Sequence, residues 1–127
     1  MSEGADVEIT DEYMQEQLAA SATYTVALMY RGPRYDDDGA RELSRTTGEM
    51  SALRAQGVLD VVMPLPPKDG VAGPLRGLAI FSVPPEEVRA LLDVDPAVEA
   101  GVLTYELHEG LSFPGDALRT PVTGDPR

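Results

Sequence analysis

The sequence contains no cysteine and a single histidine among its 127 residues. The lack of cysteine excludes disulfides, thiolate metal sites and cysteine nucleophiles, and one histidine leaves too few ligands for a zinc site. Basic residues are also scarce, since 10 Lys and Arg stand against 22 Asp and Glu and give a net charge of −12. Because this charge repels phosphate backbones and anionic lipid, neither nucleic acid nor a membrane is an expected partner.

Long apolar runs and targeting signals are missing as well. No stretch approaches the roughly 18 apolar residues of a membrane span. The N-terminus reads MSEGADVEITDEYMQEQ, which has no Lys or Arg, whereas a signal peptide needs a basic start and an apolar run. We therefore expect a cytoplasmic protein. The sequence has neither a Gly-rich phosphate loop nor a Gly-x-Ser-x-Gly elbow, so we expect no cofactor.

The residues that are present divide the chain into three parts. Hydrophobic residues make up 43% and charged residues 25%, which is typical of a globular domain, and the length fits one domain. We predict an acidic N-terminal arm over residues 1–22, a folded domain over 23–113 and a Gly- and Pro-rich tail over 114–127. The arm includes a predicted short helix from Asp11 to Ala20.

The domain shows alternating strand and helix patterns. TYTVALMY from Thr23 is apolar on both faces, which predicts a central strand. Residues 40–56 repeat apolar residues at helical spacing, and Gly57 follows as a C-terminal cap. The remaining segments predict a second strand (VLDVVMPL), a third strand (PLRGLAIFSV), a second helix (PPEEVRALL), a short turn (DVDPAVEAG) and a fourth strand (VLTYELH), with loop-like composition after Gly110.

The predicted order after the arm is β-α-β-β-α-β, the split βαβ arrangement. It predicts an α+β, ferredoxin-like domain with a four-stranded antiparallel sheet and both helices on one face. The other face would expose a contiguous apolar patch. We therefore predict a homodimer that forms through this sheet face.

Asp95-Pro96, followed by Ala100-Gly101 at the start of the last strand, carries a family resemblance. With these residues, the stretch from about Tyr24 to Phe113 resembles the YciI-like family, whose members pair two ferredoxin-like sheets over a cleft. The resemblance implies a His-Asp dyad in that cleft. Asp95 matches the Asp, but the His falls on Thr46, and threonine does not exchange protons near neutral pH as imidazole does.

Two residues are candidates for chemistry. Asp95 is a cleft carboxylate under the resemblance, but Asp before Pro is also the preferred N-cap and N1 pair, and we favour the cap. Both roles are compatible. His108 lies between Glu106 and Glu109, where a carboxylate neighbour would suit a general base. A solvated side chain at a strand end is the favoured interpretation.

Charged residues around the first loop are the remaining candidates. Arg31, Arg34 and Arg45, with Thr46, would hold a carboxylate or phosphate in the cleft, although counter-ions of an acidic surface are the favoured interpretation. Asp36, Asp37 and Asp38 lack the spacing of a calcium loop. They are better explained as a solvated turn, with Asp38 near the helix start.

Three functions remain open at this point. The favoured hypothesis is a small-molecule-binding or accessory protein that uses the dimer cleft. The alternatives are a small lyase- or isomerase-type enzyme with displaced catalytic residues, and an interaction module that docks through its acidic arm or its tail. The fold does not decide between them. An Arg-lined pocket would favour an acidic ligand.

Overall fold

The computed structural model of the protein describes residues 8–44, 53–67 and 73–118. Thr46 and Arg45 lie outside these ranges. Residues 53–55 are helical and precede the second strand. The remaining elements, in chain order, are α1 (Asp11–Ala19), β1 (Ala22–Arg31), α2 (Asp38–Ser44), β2 (Leu59–Pro64), β3 (Leu75–Phe81), α3 (Pro85–Asp93), α4 (Pro96–Glu99) and β4 (Leu103–Ser112).

The four strands form one antiparallel sheet in the order β2-β3-β1-β4. β1 lies in the middle, as its two apolar faces predict, and β2 and β3 are neighbours in the sheet. This order and the element sequence confirm the α+β, ferredoxin-like fold.

One face of the sheet packs against the helices and contains the core. Thr25, Ala27 and Met29 alternate on this side of β1 and are buried, and Ala27 and Met29 pair with Ala79 and Gly77 of β3. The buried core also includes Leu59, Phe81, Val83 and, from α3, Val88 and Leu92. Val88 and Leu92 are four residues apart, which places them on one face of α3, and this face is buried.

The opposite face, which we call the open face, carries two apolar rows that cross three strands. Val61, Ile80 and Val26 lie side by side in one row, and Met63, Leu78 and Leu28 form the next. On β4 the rows end in polar residues, with His108 opposite Val26 and Glu106 opposite Leu28. This open face is therefore apolar over β1 to β3 and polar along β4.

Two glycines end helical segments in the left-handed conformation. Gly57 has a φ of 78°, and its N–H bonds the carbonyl of Arg54 while Val58 bonds that of Leu53. Gly101 also has a φ of 78°. Its N–H donates to the carbonyl of Val98 in α4, and the Val102 N–H donates to the carbonyl of Ala97. Both are Schellman motifs, which favour glycine because it has no Cβ. The predicted cap at Gly57 is confirmed.

The ends of two elements differ from the predictions. β4 does not end near His108 but continues to Ser112, because Ala22, Thr23 and Tyr24 pair with residues 112 to 110. Sheet pairing here overrides the loop-like composition around Gly110. The first domain helix begins at Asp38, and much of its predicted length lies outside the described ranges.

The arm contains the predicted helix, α1. Thr10 caps it by accepting a hydrogen bond from the Tyr13 N–H at 3.0 Å, and none of its residues is buried. Among helices in the described ranges, none has the length and apolar character needed to cross a membrane.

Candidate functional site

A cavity of about 250 Å³ lies between the helix-covered side of the sheet and the α3–α4 region. We call it the inner cavity. Small residues contribute to this space, because Gly77 and Ala79 hold successive helix-facing positions on β3. Arg76 and Asp95 are its charged lining residues in the described ranges. Its apolar lining includes Met29, Val62, Ala79, Leu92, Ala97 and Leu103.

Asp95 reaches the cavity through the local structure of α4. It is 7% exposed, and its Oδ2 accepts a hydrogen bond from the Ala97 N–H at 3.0 Å. This bond confirms the predicted N-cap, and Pro96 follows at the first helical position. Asp95 and Gly101 thus mark the beginning and the end of one helical turn beside the cavity.

Arg76 reaches the cavity through a β-bulge. Met29 pairs with Gly77, but Tyr30 pairs with Leu75, so Arg76 is the extra residue between two pairs. A bulge of this kind turns a side chain away from its regular direction. The Arg76 Nη1 donates to the carbonyl of Leu75 at 2.9 Å. Its Nε is buried and has no hydrogen-bond partner among the residues that the structure describes.

A second cavity of about 420 Å³, which we call the outer groove, adjoins the inner cavity. The two share Pro64, Arg76, Ala97 and Leu103 as lining residues, so they are contiguous. The other lining residues of the groove are Tyr35, Arg41, Leu65, Pro66, Pro67 and Val102. The Pro-rich end of β2 is therefore a wall of this groove.

Two guanidinium groups contact the Tyr35 ring at the groove. The Cζ atoms of Arg41 and Arg76 lie 4.9 and 5.4 Å from the ring centroid. The loop that carries Tyr35 is fixed against the end of α4, because Gly32 N–H bonds the carbonyl of Val102 at 2.8 Å. A Cβ at Gly32 would lie 2.4 Å from the carbonyl oxygen of Gly101, so this close approach needs glycine.

Arg31 and Arg34, which the sequence offered as anion ligands, do not line either cavity. Arg34 binds Asp37 at 3.0 Å, and its stem packs over Gly101. Arg31 is exposed at the end of β1. Asp37 is the N-cap of α2, since its Oδ1 accepts from the Ala40 N–H at 3.0 Å. This bond, and then the bond from Arg34, lower the pKa of Asp37.

His108 lies on the open face, so the sheet separates it from Asp95. The same oxygen of Glu106, Oε1, contacts His108 Nε2 at 2.9 Å and accepts from Tyr30 Oη at 3.1 Å. We call these three residues the β4 cluster. The bond to His108, and then that to Tyr30, lower the pKa of Glu106. Desolvation, and then the bond to Glu106, raise the pKa of Tyr30.

The structure thus separates the predicted site residues. Asp95 lines the inner cavity, His108 lies across the sheet, and Arg31 and Arg34 remain at the surface. Within the described ranges, no group of three or more acidic, His or Cys side chains is arranged to hold a metal ion. Arg76, Tyr35 and Arg41 line the site but were not identified from the sequence. The sequence does contain a signal for Arg76, because it is a single charged residue in the otherwise apolar strand β3 and precedes Gly77, and a glycine inside a strand often marks a bulge.

Comparison of the chain with protein-family models, with curated proteins and with solved structures finds no match.

Proposed function

We propose that the protein binds a small molecule in the inner cavity and the adjoining outer groove. The observation that carries this proposal is the cavity of about 250 Å³, whose lining is mainly apolar with charged Arg76 and Asp95. Small-molecule sites have this composition, because an apolar lining supplies burial and a few polar groups fix the orientation of the ligand.

The resemblance to YciI-like proteins implies a site at the same carboxylate, Asp95, but in a cleft between two sheets, whereas the inner cavity lies on the helix-covered side of one sheet. The most specific residues of the resemblance, Asp95-Pro96 and Ala100-Gly101, delimit the helical turn beside the inner cavity. The position that the family fills with histidine holds Thr46 here. A His-Asp dyad therefore lacks its base, and binding without that chemistry is the function that these residues favour.

A variant that fills the cavity tests this proposal. Ala97→Phe places a phenyl group where both cavities meet, while Ala90→Phe adds the same group to an exposed position of α3. A panel of small aromatic and aliphatic fragments is screened by saturation-transfer NMR. We expect fragments that bind the parent and Ala90→Phe but not Ala97→Phe. Equal binding to all three proteins, or no fragment bound by the parent, contradicts the proposal.

We propose further that the protein is a homodimer through its open face. The two apolar rows over β1 to β3 would otherwise form a contiguous apolar patch, which monomeric proteins rarely expose. Val26 ends one apolar row on the central strand β1, between Ile80 of β3 and His108 of β4. Light scattering should give a dimer mass for the parent and for Ala90→Lys, and a monomer mass for Val26→Lys. A monomeric parent, or a dimeric Val26→Lys protein, contradicts this interface.

A second candidate function is acid–base catalysis at the β4 cluster. The observation that favours it is the shared Glu106 oxygen, which orients an imidazole and a phenol beside an apolar surface. His108 is the single histidine, so its imidazole ring protons can be followed by proton NMR without overlap. A substrate that contacts the imidazole should change the chemical shifts of these ring protons. Unchanged shifts with every fragment that binds contradict catalysis by His108.

A further inference from the structure

The Arg76 side chain has one buried donor, Nε, that no described residue satisfies. Nη1 is occupied by the Leu75 carbonyl at 2.9 Å. The Nε–H lies on the other side of the guanidinium, beside Nη2, and these two parallel donors match the two oxygens of a carboxylate. Nε is buried without a partner in the described part of the chain. Since buried donors are almost always paired, this edge fits an acceptor that enters the cavity.

The charge around this edge favours an anionic acceptor. Arg41 and Arg76 both place their guanidinium carbon within about 5.4 Å of the Tyr35 ring centroid. Two positive charges thus converge on one ring in a chain whose net charge is −12. Contact with a ring face does not use the in-plane N–H groups of a guanidinium, so the Tyr35 ring leaves the Nε–H of Arg76 unsatisfied. Asp95, also at the cavity, already accepts from the Ala97 N–H.

We infer that the ligand is a small organic acid whose carboxylate accepts from the Nε edge of Arg76. Its apolar part fills the inner cavity against Met29 and Leu92. The inference rests on the proposed binding function and names the class of ligand. A cavity of about 250 Å³ has the liquid volume of roughly eight water molecules. Phenylacetate and octanoate therefore have suitable sizes as probes.

The test compares each acid with its neutral amide, which keeps the shape and removes the charge. The pairs are phenylacetate with phenylacetamide and octanoate with octanamide, titrated by calorimetry near neutral pH. A charge-assisted hydrogen bond predicts that the acid binds the parent about 10- to 100-fold more tightly than the amide. Arg76→Met should remove this preference, and Arg76→Lys should restore only part of it because lysine lacks the paired edge. Arg89→Met, at an exposed position on α3, should keep the full preference.

The outcomes separate this inference from the proposed function. If amides bind as tightly as acids and Ala97→Phe blocks both, the cavity binds small molecules but the acid inference is wrong. An acid preference that survives in Arg76→Met also overturns it, as does a parent that binds none of the acids at millimolar concentration. Circular dichroism checks that each variant is folded. If Arg76→Met does not fold, the ratio of acid to amide affinity in the parent decides alone.

Discussion

Replacement of Asp95 provides a quantitative test of the turn beside the cavity. Asp95→Ala removes the acceptor of the Ala97 N–H, which it binds at 3.0 Å in a position that is 7% exposed. Loss of an N-cap costs about 0.5 to 2 kcal/mol, and a buried donor without a partner costs about 1 to 3 kcal/mol. We expect Asp95→Ala to lower the free energy of unfolding by about 1 to 2 kcal/mol. Asp95→Asn, which keeps an acceptor, should lower it by less than about 0.5 kcal/mol.

Urea unfolding followed by circular dichroism measures these differences. All proteins are compared at one concentration, because the proposed dimerisation would make the apparent stability depend on concentration. Glu99→Ala is the control on the same turn, since Glu99 is exposed and should change the free energy by no more than about 0.5 kcal/mol. Equal stability of the parent and Asp95→Ala would refute the capping role.

The same Asn variant separates the cap from a role in binding. Asp95 lines the inner cavity together with Arg76, so its negative charge opposes a bound carboxylate. Asp95→Asn removes that charge and should leave the affinity for phenylacetate unchanged or raise it. A large loss of affinity in a stable Asp95→Asn protein would mean that the Asp95 carboxylate itself contacts the ligand.

Three further predictions concern the rest of the fold. Thr25→Val removes the bond from Thr25 Oγ1 to the buried Val83 carbonyl at 2.8 Å and should cost about 1 to 3 kcal/mol in urea unfolding; no loss contradicts this. The bond from the Ala40 N–H lowers the pKa of Asp37 in the folded state. The ionised Asp37 carboxylate therefore stabilises the fold above the unfolded pKa, and this stabilisation is lost as the pH falls through the folded pKa. The stability difference between the parent and Asp37→Asn should therefore shrink as the pH falls to about 3, and a constant difference contradicts this. Deletion of residues 1–20 removes no buried α1 residue and should lower the Tm by less than about 5 °C; a larger drop would make the arm structural.

Most of the fold was predictable because its determinants are local. Alternating apolar residues predict β1 and β3, and the spacing of Val88 and Leu92 predicts the buried face of α3. Asp95 before Pro96 predicts a cap because the interacting groups lie two residues apart. The end of β4 was not predictable in this way. It depends on pairing with Ala22 to Tyr24, and local composition contains no information about that partner.

Arg76, one of the two charged residues at the cavity, was missed for a similar reason. Arg76 reaches the cavity because the register between β1 and β3 shifts by one residue between Met29 and Tyr30. A shift of one residue changes the direction of a side chain, so the role of Arg76 depends on a feature of two paired strands. The arginines chosen from the sequence were instead clustered along the chain. The structure places Arg34 against Asp37, three residues away, where it neutralises a local acid.

The proposed ligand binding and the proposed dimerisation place different demands on the same strands. Alternation puts Ala79 at the inner cavity and its neighbour Ile80 on the open face. Small residues on one side help to form the inner cavity, while larger apolar residues on the other side form the apolar rows. Since neighbouring residues serve opposite faces, a substitution at one proposed site need not touch the other. Ligand binding and dimerisation should therefore be separable by mutation, and a Val26→Lys monomer that still binds phenylacetate would place the complete ligand site within one chain.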